Sequence, residues 1–158
     1  MGSNVTFPMF TLILLLLVAS NVFWAYIYYM DEYRDVGCLR DGATALAIML
    51  GHTGYLLQEL GENRSSDSLG LAYLNVDHAV LVAQALYRLT GTDEWKSLYS
   101  AVGSLHGFIA DMYQGTRVSE EKLIRVGEVL KELSKSLKEL NTRNIKKYSE
   151  ELVNLLHT

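Results

Sequence analysis

Three histidines are the residues in this sequence whose type and spacing could carry chemistry. His52, His78 and His106 fall in three different predicted helices. If those helices run up and down in one bundle, each histidine lies about eight residues from the same end, which puts all three at one depth, roughly 12 Å in. Three imidazoles at one depth are the ligands that a zinc, copper or haem site inside a bundle would use.

The predicted directions of the three side chains favour a simpler interpretation. His78 continues an apolar series and is predicted to point inward, whereas His106 lies one step off its apolar seam, on a flank. His52 falls between two seam positions and is predicted to point mostly away from the core. Asp77 could orient an imidazole, but it projects about 100° from His78, which favours a surface or partner contact. We therefore expect three separate, hydrogen-bonded histidines, with a metal or haem site as the alternative.

The common catalytic signatures are absent from the sequence. It contains no Gly-x-x-x-x-Gly-Lys-Ser/Thr, no Cys-x-x-Cys, no His-Glu-x-x-His and no Gly-x-Ser-x-Gly. It also lacks a Glu-x-x-His pair, which excludes a ferritin-type di-iron bundle. The single cysteine, Cys38, cannot form an internal disulfide. We therefore predict no catalytic residue, although the absence of a motif does not forbid an enzyme.

The composition excludes two other classes of protein. Hydrophobic residues make up 49% of the 158 residues and charged residues 20%, which is not the composition of a disordered chain. The net charge is −4 and there is no basic block, so we expect no nucleic-acid partner. Pro8 is the one proline, and no run of β-branched residues has period two. This combination predicts an all-α fold.

Residues 7–30 predict a transmembrane helix. This stretch, from Phe7 to Met30, has no charged side chain. As a helix it would be roughly 36 Å long, enough to cross a hydrocarbon core of about 30 Å. Aromatic residues crowd its C-terminal end, as they do at a headgroup interface. We therefore expect a short tail at 1–6, a single span at 7–30 in contact with the lipid bilayer, and a helical domain at 31–158.

The side of the membrane is less strongly specified than the span. A cleaved signal peptide ending near Val18–Ser20 is the alternative to an anchor, but no basic region precedes the apolar run, which also continues past that site. No Lys or Arg precedes the span, whereas Arg34 and Arg40 follow it, so the positive-inside rule favours a cytoplasmic domain. Glycosylation sequons at Asn4 and Asn63 lie on opposite ends of the span and do not change this assignment.

The domain is predicted to be an up-and-down four-helix bundle with a short C-terminal helix. Apolar residues recur three and four apart along each helix, which predicts near-parallel packing. The polar stretch Gly61–Gly70 is the one obvious loop, and the short remaining connections place consecutive helices side by side. The predicted helices are Val36–Leu60, Leu71–Thr90, one capped by Thr92 and ended by Gly115, one capped by Ser119 and reaching Leu140, and a terminal helix beginning at Asn141–Thr142.

Two features of these helices concern their packing. The second helix is apolar on most sides, and we expect neighbours to bury it on several faces. Gly51, Gly54, Gly103 and Gly107 interrupt helix interiors at a cost of about 1 kcal/mol each, which close approach of another helix normally offsets. The second and third helices each carry an aspartate that is expensive in lipid, so we expect neither to span the membrane.

These observations predict a membrane-anchored, single-pass helical bundle that is not an enzyme and works by binding another protein. The partner would be a second copy, forming a homo-oligomer, or a subunit of a membrane complex. The alternative is a sensory bundle that binds a metal or haem through His78 and His106.

Overall fold

The structure of the protein is a computed structural model that describes residues 35–62 and 66–158. The predicted tail at 1–6 and the predicted span at 7–30 lie outside these residues, as does the sequon at Asn63. Within the described ranges the chain consists of helices and short turns, which confirms the all-α prediction. The helices are α1 (35–62), α2 (Ser66–Thr90), α3 (Asp93–Tyr113), α4 (Glu120–Lys138) and α5 (Thr142–His157). Leu39–Thr158 form one compact unit.

The connection between α1 and α2 is shorter than the loop predicted at Gly61–Gly70. Helix α1 continues to residue 62 and α2 already begins at Ser66. Glu62 lies at the end of α1, and Asp67 lies in the first turn of α2, where it interacts favourably with the helix dipole. Ser68 is buried, and its hydroxyl donates to Oε2 of Glu59 in α1 at 2.9 Å. This hydrogen bond ties the beginning of α2 to the end of α1.

Capping residues set the ends of the later helices much as predicted. Ser119 accepts a hydrogen bond from the backbone N–H of Lys122 at 3.3 Å. The side chain of Asn141 accepts one from the N–H of Asn144 at 3.2 Å. Thr92 occupies the N-cap position of α3, but its side chain does not cap the backbone.

The hydroxyl of Thr92 instead bonds to the carboxylate of Glu94. That bond is the largest of the effects that hold the pKa of Glu94 below its ordinary value, ahead of the bond from its own backbone N–H. The residue predicted to cap α3 therefore stabilises a charge in the first turn, where a carboxylate also interacts well with the helix dipole.

The predicted apolar seams form the core of the bundle. In the first four turns of α3 and of α4, every residue of the predicted apolar seam is buried. The three-four spacing of apolar residues therefore identifies the buried face of these helices correctly. The fully buried seam residues of α1, α3, α4 and α5 are Ala43, Leu46, Leu50, Thr53, Leu57, Leu98, Val102, Leu105, Ile109, Val126, Leu130, Leu133, Leu137, Ile145 and Leu152.

Glycines allow α1 and α4 to approach closely. A Cβ built on Gly54 would lie 2.8 Å from the carbonyl oxygen of Gly127, and one built on Gly127 would lie 2.6 Å from the carbonyl oxygen of Gly54. A Cβ on Gly51 would lie 2.9 Å from Oγ of Ser134, whose hydroxyl donates to the carbonyl of Ala47 at 2.7 Å. The close packing predicted for Gly51 and Gly54 is confirmed, and Gly127 is a third contributor that the sequence reasoning missed.

The same prediction is wrong for α3. Among the described residues, no atom beyond the local backbone of α3 lies within 4 Å of a Cβ built on Gly103 or Gly107, and both residues are exposed. Their spacing suits a close helix contact, but they lie on the side of α3 that faces away from the bundle.

The five helices form a ring in the order α1, α2, α3, α5, α4. Helix α1 packs against α2, with a hydrogen bond between His52 and Asn75, and against α4 through its glycines. Helix α2 also packs against α3, and α5 packs against both α3 and α4. The terminal helix is therefore a full member of the ring, which corrects the predicted four-helix bundle with an added short helix. Apolar periodicity shows which face of a helix is buried but does not show which neighbour covers it.

Helices α3 and α5 run in the same direction along the ring. Near the start of both helices, the charge of Lys146 contributes to the lowered pKa of Glu94. Near their ends, Nζ of Lys122 donates to the carbonyl of Leu156 at 3.2 Å and lies 5.6 Å from the ring centre of Phe108. Lys122 at the start of α4 thus links the ends of the two parallel helices.

Candidate functional site

Helix α2 carries two apolar series, and the structure buries the smaller one. Its core side consists of Ala72, Val76, Ala79, Ala83 and Leu86. On the α1 side, Gly42 allows this series to approach closely, since a Cβ built on Gly42 would lie 2.8 Å from Leu86. The core side of α2 therefore consists mainly of alanines, with Val76 and Leu86, whereas four leucines of the same helix lie elsewhere.

The second series faces away from the bundle. We define the α2 outer face as the residues Leu71, Leu74, His78, Leu81, Ala85 and Leu89, all of which are exposed. Its four leucines have exposed fractions between 42% and 62%. The prediction that neighbours bury α2 on several faces is therefore wrong for this side, because α1 and α3 cover only the flanks of the helix.

His78 belongs to the outer face, so the prediction that it points inward is also wrong. The core side of α2 is instead the series of shorter side chains, and the apolar series that His78 continues is exposed. Its Nδ1 lies 2.9 Å from the carbonyl oxygen of Leu74, which can only accept, so Nδ1–H donates and Nε2 faces outward.

His52 and His106 lie on opposite flanks of α2. On the α1 side, Nδ2 of Asn75 donates to Nδ1 of His52 at 2.9 Å. On the α3 side, the ring of His106 packs 5.2 Å from that of Tyr73, and its Nε2 lies 3.5 Å from Oδ1 of Asp77. This is an ion-pair distance without hydrogen-bond geometry, and the buried Nε2 has no hydrogen-bond partner within the described residues. Asp77 thus makes the predicted surface contact, with His106 rather than with His78.

The three histidines share a level along α2 but do not face one point. His52 and His106 project toward different flanks of α2, and His78 projects outward. Within residues 35–62 and 66–158, no three histidine, cysteine or acidic side chains are grouped so that they could hold a metal ion. A zinc, copper or haem site on His78 and His106 would need further ligands that the described chain does not bring to them.

Three other large apolar side chains are exposed on α1, and two of them, Ile48 and Tyr55, lie close to His52. Ile48 and Tyr55 are one turn before and one turn after His52, and both are more than half exposed. Because His52 contacts Asn75 of α2, these residues lie on the helix next to the α2 outer face. On the other flank, an open groove is lined by Tyr73, Leu74 and Tyr113 at the end of α3.

A polar groove lies between α3 and α5, away from α2. Its charged lining alternates in sign, with Asp93 and Lys96 from α3 and Lys146 and Glu150 from α5. The hydroxyl of Ser149 in this lining is buried and has no hydrogen-bond partner among the described groups. Two acids and two lysines give the groove no preference for a charged ligand, so no ligand class follows from it.

No protein-family model, curated protein or solved structure matched the chain in comparisons with known proteins. Within the described residues, the α2 outer face is the feature that departs most from an ordinary bundle.

Helix α2 is also the one described helix that could cross a membrane by length and composition. The stretch Asp67–Thr90 meets these criteria, and only 28% of its apolar window is buried within the structure. Core helices of soluble proteins and signal sequences can meet them too. Asp77 and His78 lie in the middle of this stretch, where hydrocarbon would not solvate them.

Proposed function

We propose that this protein is a membrane-anchored helical bundle that acts by binding a helix of another membrane-bound protein through the α2 outer face. The observation that supports this function is the row of four leucines on this face, which have exposed fractions of 42% to 62%. The two leucines nearest to His78 lie four residues before it and three residues after it, so they share one side of the helix. Contiguous apolar patches larger than a few hundred Å² are rare on monomers and mark interaction sites. Leucines in such a row suit a second helix packed along the first.

The size of the apolar surface implies a weak affinity between the α2 outer face and its partner. Full burial of a leucine side chain is worth about 1.5–3 kcal/mol, so covering a half-exposed one contributes about 1 kcal/mol. The four leucines together would contribute about 4 kcal/mol on this side of the interface, while association costs about 4–15 kcal/mol. A contact of this strength is weak between molecules free in solution.

The predicted anchor at residues 7–30 would offset that weakness. Two proteins held in one membrane meet at a much higher effective concentration than two molecules in solution, which raises the occupancy of a weak contact without any new interaction. The anchor and the α2 outer face therefore have complementary roles in this proposal, which assigns no catalytic residue.

A protein partner suits this face better than the bilayer does. His78 lies in the middle of the leucine row, Asp77 beside it is 56% exposed, and Asp67 and Arg88 lie near its ends. A charged side chain at the centre of a bilayer costs about 2.5–3.5 kcal/mol even on the most permissive scale. A protein surface can accommodate the same groups through hydrogen bonds and ion pairs.

Site-specific photo-crosslinking in native membranes tests this proposal. A benzophenone amino acid would replace Leu81 on the outer face, and a matched variant would carry it at Lys138, an exposed position of α4. We expect a defined protein adduct from position 81 and none of comparable yield from position 138. Adducts from position 81 with lipid alone, or equal adducts from both positions, would contradict the proposal.

A further inference from the structure

We infer that the partner of the α2 outer face is a second copy of this chain, with the two α2 helices antiparallel. This inference rests on the proposed function and identifies the protein that is bound. It comes from the order of residue types along the face, which is nearly the same when read in either direction.

The centre of this near-symmetry is His78. Leu71 and Ala85 both lie seven residues from it, Leu74 lies four residues before it, and Leu81 lies three residues after it. When two copies pair antiparallel about His78, Leu71 therefore lies opposite Ala85, and Leu74 lies within one residue of the position opposite Leu81. Leu89, eleven residues after His78, lies opposite Asp67 and is the exception to the apolar pairing. A two-fold interface between identical chains needs such a self-complementary surface.

The charges at the two ends of the face select the antiparallel direction. Asp67 lies eleven residues before His78 and Arg88 lies ten residues after it, and both are exposed. In the antiparallel pair, Asp67 of one copy lies within about one helical turn of Arg88 of the other, at both ends of the interface. A parallel pair would instead place Asp67 beside Asp67 and Arg88 beside Arg88, which like-charge repulsion opposes.

The environment of His78 is compatible with a position on the two-fold axis. Its Nδ1–H is already used by the carbonyl of Leu74, so each copy contributes one Nε2 acceptor to the centre of the pair, where a bridging water or a shared proton would join the two. A polar group at a single central layer of a helix pair fixes the register at some cost in affinity. His78 would have this role between leucine layers on both sides.

Disulfide trapping in the full-length protein tests the direction of pairing. Cys38 is exposed and would first be replaced by Ala. Two variants, one with Asp67→Cys and one with Arg88→Cys, would each carry a different tag. They would be reconstituted together in liposomes and oxidised. We expect mixed disulfides between the two variants and few disulfides within either variant alone. Predominant 67–67 and 88–88 disulfides would overturn the antiparallel pairing.

Two sets of substitutions test the surface by energy transfer between labelled copies in the same liposomes. Leu81→Gln should weaken pairing on the order of tenfold or more, because each leucine occurs twice in a symmetric interface. Ile48→Gln is the matched control, since Ile48 on α1 is 61% exposed and Leu81 is 62% exposed. The control should change pairing by less than about threefold, and an equal loss from both variants would place the interface elsewhere.

Charge reversal gives a readout that general destabilisation would not reproduce. Asp67→Arg should weaken pairing on the order of tenfold, because it turns an attraction at each end into a repulsion. Addition of Arg88→Asp to the same chain should restore the pairing, since the swapped charges again meet their opposites. Failure of the double variant to recover would contradict the proposed register.

The outcomes separate this inference from the proposed function. A photo-adduct from position 81 that contains a different protein would leave the proposed function standing and overturn the self-pairing. An adduct with residues 7–30 of the same molecule, or with lipid alone, would overturn both. A self-adduct together with the mixed 67–88 disulfide would support both.

Discussion

Replacement of single glycines by alanine should have opposite effects at Gly54 and Gly103. Both residues lie inside helices, where alanine is favoured over glycine by about 1 kcal/mol. The gain arises partly because alanine restricts the unfolded chain, so it is available at both positions. The difference must come from what the new methyl group meets in the folded bundle.

The space around each glycine decides the sign. A methyl group at Gly54 would lie 2.8 Å from the carbonyl oxygen of Gly127 and 3.1 Å from Cβ of Leu130. A backbone carbonyl cannot rotate away, so α1 and α4 must move apart, at an overpacking cost of about 1–3 kcal/mol. Subtraction of the propensity gain leaves a net loss of about 1 kcal/mol for Gly54→Ala. Gly103→Ala meets nothing within 4 Å and keeps the full gain of about 1 kcal/mol.

Unfolding of the full-length protein in mild detergent measures this difference. Urea titrations and thermal melts followed by circular dichroism at 222 nm report the loss of helix. The two variants should differ by about 2 kcal/mol in the free energy of unfolding, and at about 4 °C per kcal/mol their melting temperatures should differ by about 8 °C. Equal stabilisation by both substitutions would show that α1 and α4 do not touch at Gly54. Gly127→Ala, whose methyl would lie 2.6 Å from a backbone oxygen, should be at least as destabilising as Gly54→Ala.

Further predictions concern single hydroxyl groups. Ser134→Ala removes the buried hydrogen bond to the carbonyl of Ala47 and should lower the free energy of unfolding by about 1 kcal/mol. Ser149→Ala removes a buried hydroxyl that has no partner among the described groups and should raise the same quantity by up to about 1 kcal/mol, so a loss of stability there would show that the hydroxyl is bonded. Thr92→Val should raise the pKa of Glu94 toward its ordinary 4.5, which an NMR titration of the carboxyl measures. A lowered carboxyl pKa stabilises the folded protein, and this contribution disappears as the pH falls through the folded-state pKa of Glu94. The variant should therefore lose less stability than the wild type on acidification below pH 4.5. An unchanged Glu94 pKa would contradict the Thr92 contact.

The sequence predicts the core best where a helix has only one apolar series. In α4, leucines and valines alternate three and four apart and nearly all other positions are charged or small, so only one face can be inward. The predicted seam residues are buried, namely Leu123, Val126, Leu130, Leu133 and Leu137. In α2, leucines and alanines form two series of comparable apolarity. The sequence analysis places the leucine series in the core, whereas α1 and α3 pack beside the alanine series. His78 continues the leucine series and therefore lies on the surface.

Other features depend on which helices are neighbours, and periodicity does not contain that information. Gly127 interrupts a helix that otherwise has strong helix formers, and its importance appears only when Gly54 of another helix is placed against it. The shared level of His52, His78 and His106 follows from counting residues. Their divergent directions follow from the packing of α1 and α3 on opposite flanks of α2, which no spacing within one helix reveals. The span at 7–30 stays a prediction.

The position of α5 in the ring has a consequence for biosynthesis. Contacts that close the bundle join residues distant in sequence, as in the hydrogen bond between Ser134 and Ala47, which are 87 positions apart. Translation proceeds at about 5–20 residues per second. Helices α3 and α4 are therefore made before α5, the helix that lies between them in the ring. Helix α5 leaves the ribosome after the other four helices of the ring. Until α5 has been made, the surfaces of α3 and α4 that it covers therefore remain open to solvent, and the ring of helices is not closed.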